Sequence, residues 1–350
     1  MRQNSRDRQS VHIIISELLY QEMSNKKISP SFRNERLDSV KYWLIILVIS
    51  GHVLEIFQIP ENKVIWNWIY LFHMPLFIFI SGYFSSKKSV KKMAASIWKT
   101  AEPLILFQFI ALILWEESIS LTTILTPWWI LWYLLSLIYW RLILQVIPES
   151  ILRNAKLILP TTFGISILAG FLPFGVFLSI QRTLSFMPFF FLGYYMKNKN
   201  IFLPQRYRPL CLLFLIIAFV VPLFCPQYLG NLRHADPYDN YYDAFKRLFA
   251  FCLSIPMSLA FLNVCISRPW FARQGQLTMQ YYLYHSIIIV CGTSPFLILV
   301  HKFGITSLLL IAIIYSIAIT IVIGVLSYIP IFKYFTNPSV ILKKLGIFAR

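Results

Sequence analysis

Four acidic or basic side chains stand in one apolar run: Asp38, Lys41, His52 and Glu55 of LDSVKYWLIILVISGHVLEI. Lys41 and His52 are eleven positions apart. On an α-helix that is three turns plus ~20°, so both project from one face, ~16 Å apart along the axis. Asp38 lies one turn before Lys41, and Glu55 one turn after His52. The spacing predicts a polar stripe on an otherwise apolar helix. Ionisable groups in such a run are costly to bury, and each marks a candidate site. A histidine titrates near neutral pH and can take or give a proton there. A carboxylate beside it can orient the ring and hold one tautomer. A lone histidine in an apolar helix is commonly just an interhelical hydrogen-bonding group. A stripe of four reaching both ends of the helix points instead to the lining of a cavity.

Two further histidines occur at similar depth in other apolar segments, His73 in FHMPLFIFISGYF and His285 in QYYLYHSIIIV. Glu102, in KTAEPLILF, is comparably placed. Together they suggest a buried site for proton transfer. The segment FLSIQRTLSFMPFFFLGYYM carries Gln181, Arg182 and Ser185 near its start. There an arginine either snorkels to water or meets an oxygen-rich acceptor arriving from outside. The run WWILWYLLSLIYW reads as an interfacial aromatic belt, with stacking on a sugar as the alternative. Five cysteines, at 211, 225, 252, 265 and 291, form no CxxC pair. They indicate neither a disulfide framework nor a metal site.

The elements that must carry these residues are set by composition. The chain has 350 residues, 58% hydrophobic, 17% aromatic and 13% charged. Ordinary soluble domains are ~45–50% apolar and ~25% charged. This balance excludes a disordered chain, a coiled coil and a nucleic-acid-binding tail, and it leaves too much apolar surface for a water-soluble globule. Apolar segments run about 40–58, 64–85, 93–115, 128–147, 157–172, 176–196, 209–225, 244–265, 277–296 and 306–332. Of the 32 Lys and Arg residues, 26 fall at the termini and in alternate connections, and six elsewhere. That asymmetry places both termini in the cytoplasm and makes the number of spans even. It also explains the net charge of +18 without a nucleic-acid partner. The sequence thus predicts an all-α polytopic membrane protein of about ten transmembrane helices. Residues 1–35 read as a cytoplasmic tail, with Met23 as an alternative start. Residues 36–335 read as the membrane domain and 336–350 as a basic cytoplasmic tail. No internal repeat is visible, which tells against an inverted-repeat transporter.

Five stretches, RLDSVKYWLIILVISGH, FHMPLFIFISGYF, PWWILWYLLSLIYW, RTLSFMPFFFLGYYM and YYLYHSIIIV, resemble in order the motifs of the acyltransferase-3 family of integral membrane acyltransferases. The fucose-4-O-acetylase-like branch is the most similar. The resemblance covers about residues 33–335. It implies ten spans and transfer of an acyl group, usually acetyl from acetyl-CoA, to a hydroxyl of a cell-surface or lipid-linked glycan. A bacterial inner membrane is the implied location, with acetyl-CoA a co-substrate and no tightly bound cofactor or metal. The first-span motif, a basic residue, ten residues and a histidine, maps onto Lys41 and His52. Arginine is commoner there; Lys41 keeps the charge and loses the bidentate fork. The motif FHMPLFIFISG maps to His73, Ser81 and Gly82, the sixth-span arginine to Arg182, and the late histidine to His285. The joint reading makes His52, Lys41 and Glu55 catalytic. His73, Arg182, Gln181, His285, Ser81 and Asp38 are expected to bind donor or acceptor. His52 either deprotonates the acceptor hydroxyl or carries the acetyl group. Lys41 and the run Lys87, Lys88, Lys91, Lys92 offer cations to an anionic donor, or the run simply marks topology. The rival classes are a proton-coupled transporter or flippase of a glycan or lipid precursor, and a polytopic sensor or scaffold.

Overall fold

Each apolar segment forms a helix. The structure, a computed structural model, describes residues 35–57, 60–114, 120–197, 199–303 and 307–339. The expected start at Met23 and most of both tails lie outside the described residues. The ten segments are α1 Glu35–Ile56, α2 Pro60–Tyr83, α3 Val90–Leu114, α4 Trp132–Val146, α5 Ala155–Leu168, α6 Ile180–Tyr195, α7 Arg208–Ile217, α8 Tyr242–Val264, α9 Thr278–Lys302 and α10 Leu308–Leu326. A short helix, Val220–Phe224, prolongs α7. Among the described residues there is no strand.

Taken with their flanking turns, so that α4 runs Trp129–Val146 and α7 runs Gln205–Phe224, eight of these segments are long and apolar enough to cross a membrane. The other two are shorter: α5 has 14 residues and α6 has 16. Their ~21 and ~24 Å fall below the ~30 Å of a bilayer core. The cause lies between them. Gly170, Pro173 and Gly175 break the helix, and Gly175, Leu178 and Ser179 all take positive φ before α6 begins. The pair α5–α6 therefore packs as a short hairpin.

Apart from its polar stripe, α1 is apolar around its circumference and buries Leu37, Val40, Leu44, Ile45, Val48, Ile49, Val53 and Leu54, as a central helix must. On α10, by contrast, Leu310, Ile313, Ile317, Ile321 and Val325 are exposed at three- and four-residue spacing. That is an apolar stripe facing outward, stable only against lipid. The chain is an integral membrane protein.

Two local devices fix α2, the helix of His73. A Cβ on Gly82 would lie 1.9 Å from the Phe190 carbonyl oxygen, and one on Gly193 would lie 1.9 Å from that of Phe79. α2 and α6 thus touch backbone to backbone, the close approach that small residues permit in membranes. Pro75 lies inside α2 and cannot donate to the Leu71 carbonyl. The Ser254 hydroxyl of α8 hydrogen-bonds that carbonyl instead, so the break is repaired by a neighbouring helix.

Candidate active site

The stripe on α1 resolves into two pairs. At the end of the bundle that carries the basic connections, Lys41 Nζ lies 2.6 Å from Asp38 Oδ1. Three turns further on, His52 Nδ1 lies 3.4 Å from Glu55 Oε2. The Tyr70 hydroxyl, from α2, donates to the same carboxylate oxygen at 3.0 Å and sits 3.3 Å from His52 Nδ1. Arg233 Nη1 reaches the other oxygen, Glu55 Oε1, at 3.0 Å. A carboxylate paired with a guanidinium only accepts hydrogen bonds, so the His52 proton belongs on Nδ1. That leaves a lone pair on Nε2, the arrangement in which an imidazole acts as base or nucleophile.

The three histidines converge as their depths suggested. His285, fully buried on α9, lies against His52 with ring centroids 5.4 Å apart and planes 21° from parallel. Its Nδ1 is 2.9 Å from the Tyr281 carbonyl, so it donates there. His73 does the same to Ile69, at 2.8 Å. Both rings therefore carry their proton on Nδ1 and present Nε2 as an acceptor. The Nε2 of His285 is buried without a hydrogen-bond partner among the described residues. Trp129 closes the other side of His52, ring to ring at 4.7 Å.

These groups line a cavity of about 70 Å³ with His52, Glu55, Tyr70, His73, Trp129, Trp132, Arg182 and Arg233 in its wall. At ~30 Å³ per water it holds about two waters. Arg182 is stacked over Trp132, 5.1 Å from its ring centre, and its Nε is buried without a hydrogen-bond partner among the described residues. No acid is within salt-bridge distance of Arg182 among the described residues. The backbone around the cavity is strained. The non-glycine positive-φ residues among those described are Trp129, Leu178, Ser179 and His234. Trp129 is in the wall, His234 follows Arg233, and Leu178 and Ser179 lead into α6, the helix of Arg182, where surrounding packing must hold such conformations. His234, in the loop before α8, is buried between Phe186 and Phe251. Burial, with Arg247 and Arg182 near it, pushes its imidazole well below the ordinary histidine range.

A second cavity, of about 240 Å³, runs from the basic end toward His52 and is lined by Lys41, Val48, Ser81, Tyr133, Arg141 and Thr278 among others. Ser81 Oγ is 2.6 Å from the Tyr133 hydroxyl. Arg141 Nη1 donates to Thr100 Oγ1 at 2.8 Å.

The expected residues therefore divide. His52, Glu55, His73 and Arg182 share the smaller cavity, with His285 stacked behind it. Lys41 and Ser81 line the larger one, with Asp38 buried beneath Lys41. Gln181 lines neither cavity; its amide turns back to the Asp236 carbonyl at 3.4 Å. Glu102 accepts from the Ser339 backbone N–H at 3.2 Å, away from the histidines. Lys87 and Lys88 fold onto Ile147 and Ser96, Lys91 and Lys92 are exposed, and none of the four lines the larger cavity. Tyr70, Trp129, Tyr133, Arg141 and Arg233 belong to the site although nothing in the sequence set them apart individually. Tyr70 had a signal, since it stands three residues before His73 and shares its helix face.

A family model described as an acyltransferase domain matches residues 34–328. The chain belongs to this acyltransferase family. It is a membrane acyltransferase, and the carrier and scaffold readings fall away. Two curated relatives share shorter stretches with it. Nodulation protein NolL of Sinorhizobium fredii is 44% identical over 59 residues, 15% of this chain and 16% of the relative. Nodulation protein NolL of Mesorhizobium japonicum is 42% identical over 65 residues, 17% of each chain. The matched stretch is thus less than a fifth of either relative's length. No solved structure matches the chain.

Proposed function

We propose that this acyltransferase moves an acetyl group from acetyl-CoA to a hydroxyl of a cell-surface or lipid-linked glycan, with His52 as the reacting group. The observation that supports this most is the placement of His52. Glu55 and Tyr70 hold its Nδ1, and cavities approach it from both ends of the bundle. The larger cavity opens at the basic end, where an anionic donor meets Lys41 and Arg141. Its ~240 Å³ suits a slender pantetheine arm and leaves the nucleotide outside. The smaller one, walled by Trp129, Trp132 and Arg182, has room for the reacting hydroxyl of an oxygen-rich acceptor whose remainder stays outside it. The basic end faces the cytoplasm of a bacterium, and the smaller cavity faces outward.

Two routes balance. In one, His52 Nε2 takes the acceptor hydroxyl proton as its oxygen attacks the thioester carbon, and the coenzyme A thiolate leaves and is protonated. In the other, Nε2 attacks the thioester carbon and the thiolate leaves and is protonated; the acceptor oxygen then attacks the acyl carbon, the C–N bond breaks, and the hydroxyl proton passes to the freed Nε2 and on to solvent. Glu55 stabilises the imidazolium in the first and the acylated ring in the second. The test is purified protein in nanodiscs supplied with radiolabelled acetyl-CoA. Release of coenzyme A, and O-acetyl groups on the host's surface glycan in a complemented deletion strain, are the expected results. Absence of both from well-expressed protein refutes the reading. Label retained on the protein before acceptor is added marks the second route.

A further inference from the structure

Between the two cavities one side chain serves both. Met74 is in the wall of the larger cavity and in that of the smaller, and no other lining residue is shared. It also packs against both apolar clusters of the core, the one built around α1 and the one built around α4 and α6. The walls beside it are tied. Tyr133 is held by Ser81 at 2.6 Å. Tyr282 hydrogen-bonds the Ile130 carbonyl. Val48, one turn before His52 on α1, is β-branched and buried, with a restricted χ1. The backbone under Met74 is tied as well, since Pro75 comes next and Ser254 holds the Leu71 carbonyl. Met74 itself has three rotatable bonds and a thioether that makes no strong hydrogen bond. It is the one wall at the junction that can turn aside without breaking a polar contact.

We infer that Met74 is the gate between the donor cavity and His52, and that its bulk selects a short acyl group. This rests on the donor reading above. A thioester advancing from the basic end reaches His52 only when Met74 swings away. The volume its side chain vacates then receives the acyl methyl group. An acyl chain longer by one or two methylenes meets the displaced thioether and the fixed Tyr133 and Tyr282 rings. Discrimination by one methylene in such a pocket is ~10–200-fold. Water is kept from the thioester by the same side chain until an acyl group takes its place.

The experiment compares acetyl-, propionyl- and butyryl-CoA as donors to the full chain in nanodiscs, with lipid-linked and surface glycan extracted from the host as acceptor, reading coenzyme A release with a thiol reagent as kcat/KM for each. Met74→Ala should raise the butyryl-to-acetyl ratio by about tenfold or more. Met74→Leu, close in volume, should keep the wild-type ratio. Met74→Phe should slow release from every donor while the protein still retains acetyl-CoA on a filter. A general loss of packing would lower all three donors together and leave the ratio where it was. An unchanged ratio in Met74→Ala, with wild-type turnover intact, overturns the gate and leaves the acyltransferase reading standing. No coenzyme A release by the wild type from any donor overturns both. Should Met74→Ala fail to fold, Met74→Val provides the same comparison, with the same shift expected and the same null result decisive.

Discussion

His52 touches more of the site than any other side chain: Glu55 and Tyr70 at Nδ1, Trp129 and His285 on its faces. His52→Ala is expected to abolish acyl transfer while expression and membrane insertion persist. The substitution removes a polar group from the membrane interior and strands no charge, because Glu55 keeps Arg233 and Tyr70. Loss of a general base costs ~10²–10⁴ in rate, and loss of an acyl carrier costs more. Near-normal glycan acetylation by a well-expressed His52→Ala protein would sink the mechanism. Glu55→Gln should lower kcat by ~10–100-fold, as loss of an orienting partner does, with little change in the KM for acetyl-CoA. Lys41 needs a different design, because Lys41→Ala would leave buried Asp38 without its 2.6 Å cation. The double change Lys41→Ala with Asp38→Asn avoids that. It should raise the KM for acetyl-CoA, whereas Lys41→Arg should hold or improve it; an unmoved KM in the double variant removes Lys41 from the donor site. His52, Glu55 and Lys41 were legible because one helix's periodicity fixes their common face. Arg233 was not, since a loop has no period and the residue read only as a unit of charge. Trp129 and Tyr133 were hidden by abundance, in a chain that is 17% aromatic.

At the scale of the helix, the site depends on α2 lying hard against α6 and α8. The segments themselves were plain in the hydropathy. The break that shortens α5 and α6 was also written in Gly170, Pro173 and Gly175, but hydropathy averages over such breaks and shows two full spans. The contacts between helices were not readable, because every helix here has apolar faces to offer. Gly193→Ala tests the backbone contact. The added methyl would stand 1.9 Å from the Phe79 carbonyl oxygen, and no rotamer change moves a backbone atom aside. Over-packing of this kind costs ~1–3 kcal/mol or more. The variant should lose a monodisperse peak in size-exclusion chromatography or melt several degrees lower by the usual conversion for a chain this long. A wild-type melting curve for Gly193→Ala would mean the helices are not that close. Ser254→Ala is the gentler probe. It uncovers the Leu71 carbonyl, and interhelical hydrogen bonds in membranes are worth ~0.6–2 kcal/mol. A small fall in melting temperature is expected, together with a lower kcat, since the freed backbone carries His73.

At the scale of the molecule, the two cavities have meaning only relative to a bilayer. The larger opens among Lys41 and Arg141, at the end where Lys87, Lys197 and Arg208 donate to the carbonyls of Ile147, Ser85 and Val264. The smaller lies under the loop that carries Arg233, one of only six basic residues outside the charge-rich set. On the proposed function, the positive-inside asymmetry gives that arrangement a direction: donor expected from the cytoplasm, acceptor from outside, and His52 between them. Ser89 and Asn240 are both exposed, one in the connection before α3 and one in the loop before α8. Single cysteines placed there, in a chain whose five native cysteines are replaced, report the two faces. In intact cells a membrane-impermeant maleimide should label Asn240→Cys and spare Ser89→Cys. After permeabilisation both should react. Labelling of Ser89→Cys in intact cells would invert the protein. It would put the proposed donor cavity on the side where acetyl-CoA is absent, and the acyltransferase would then need a donor from outside.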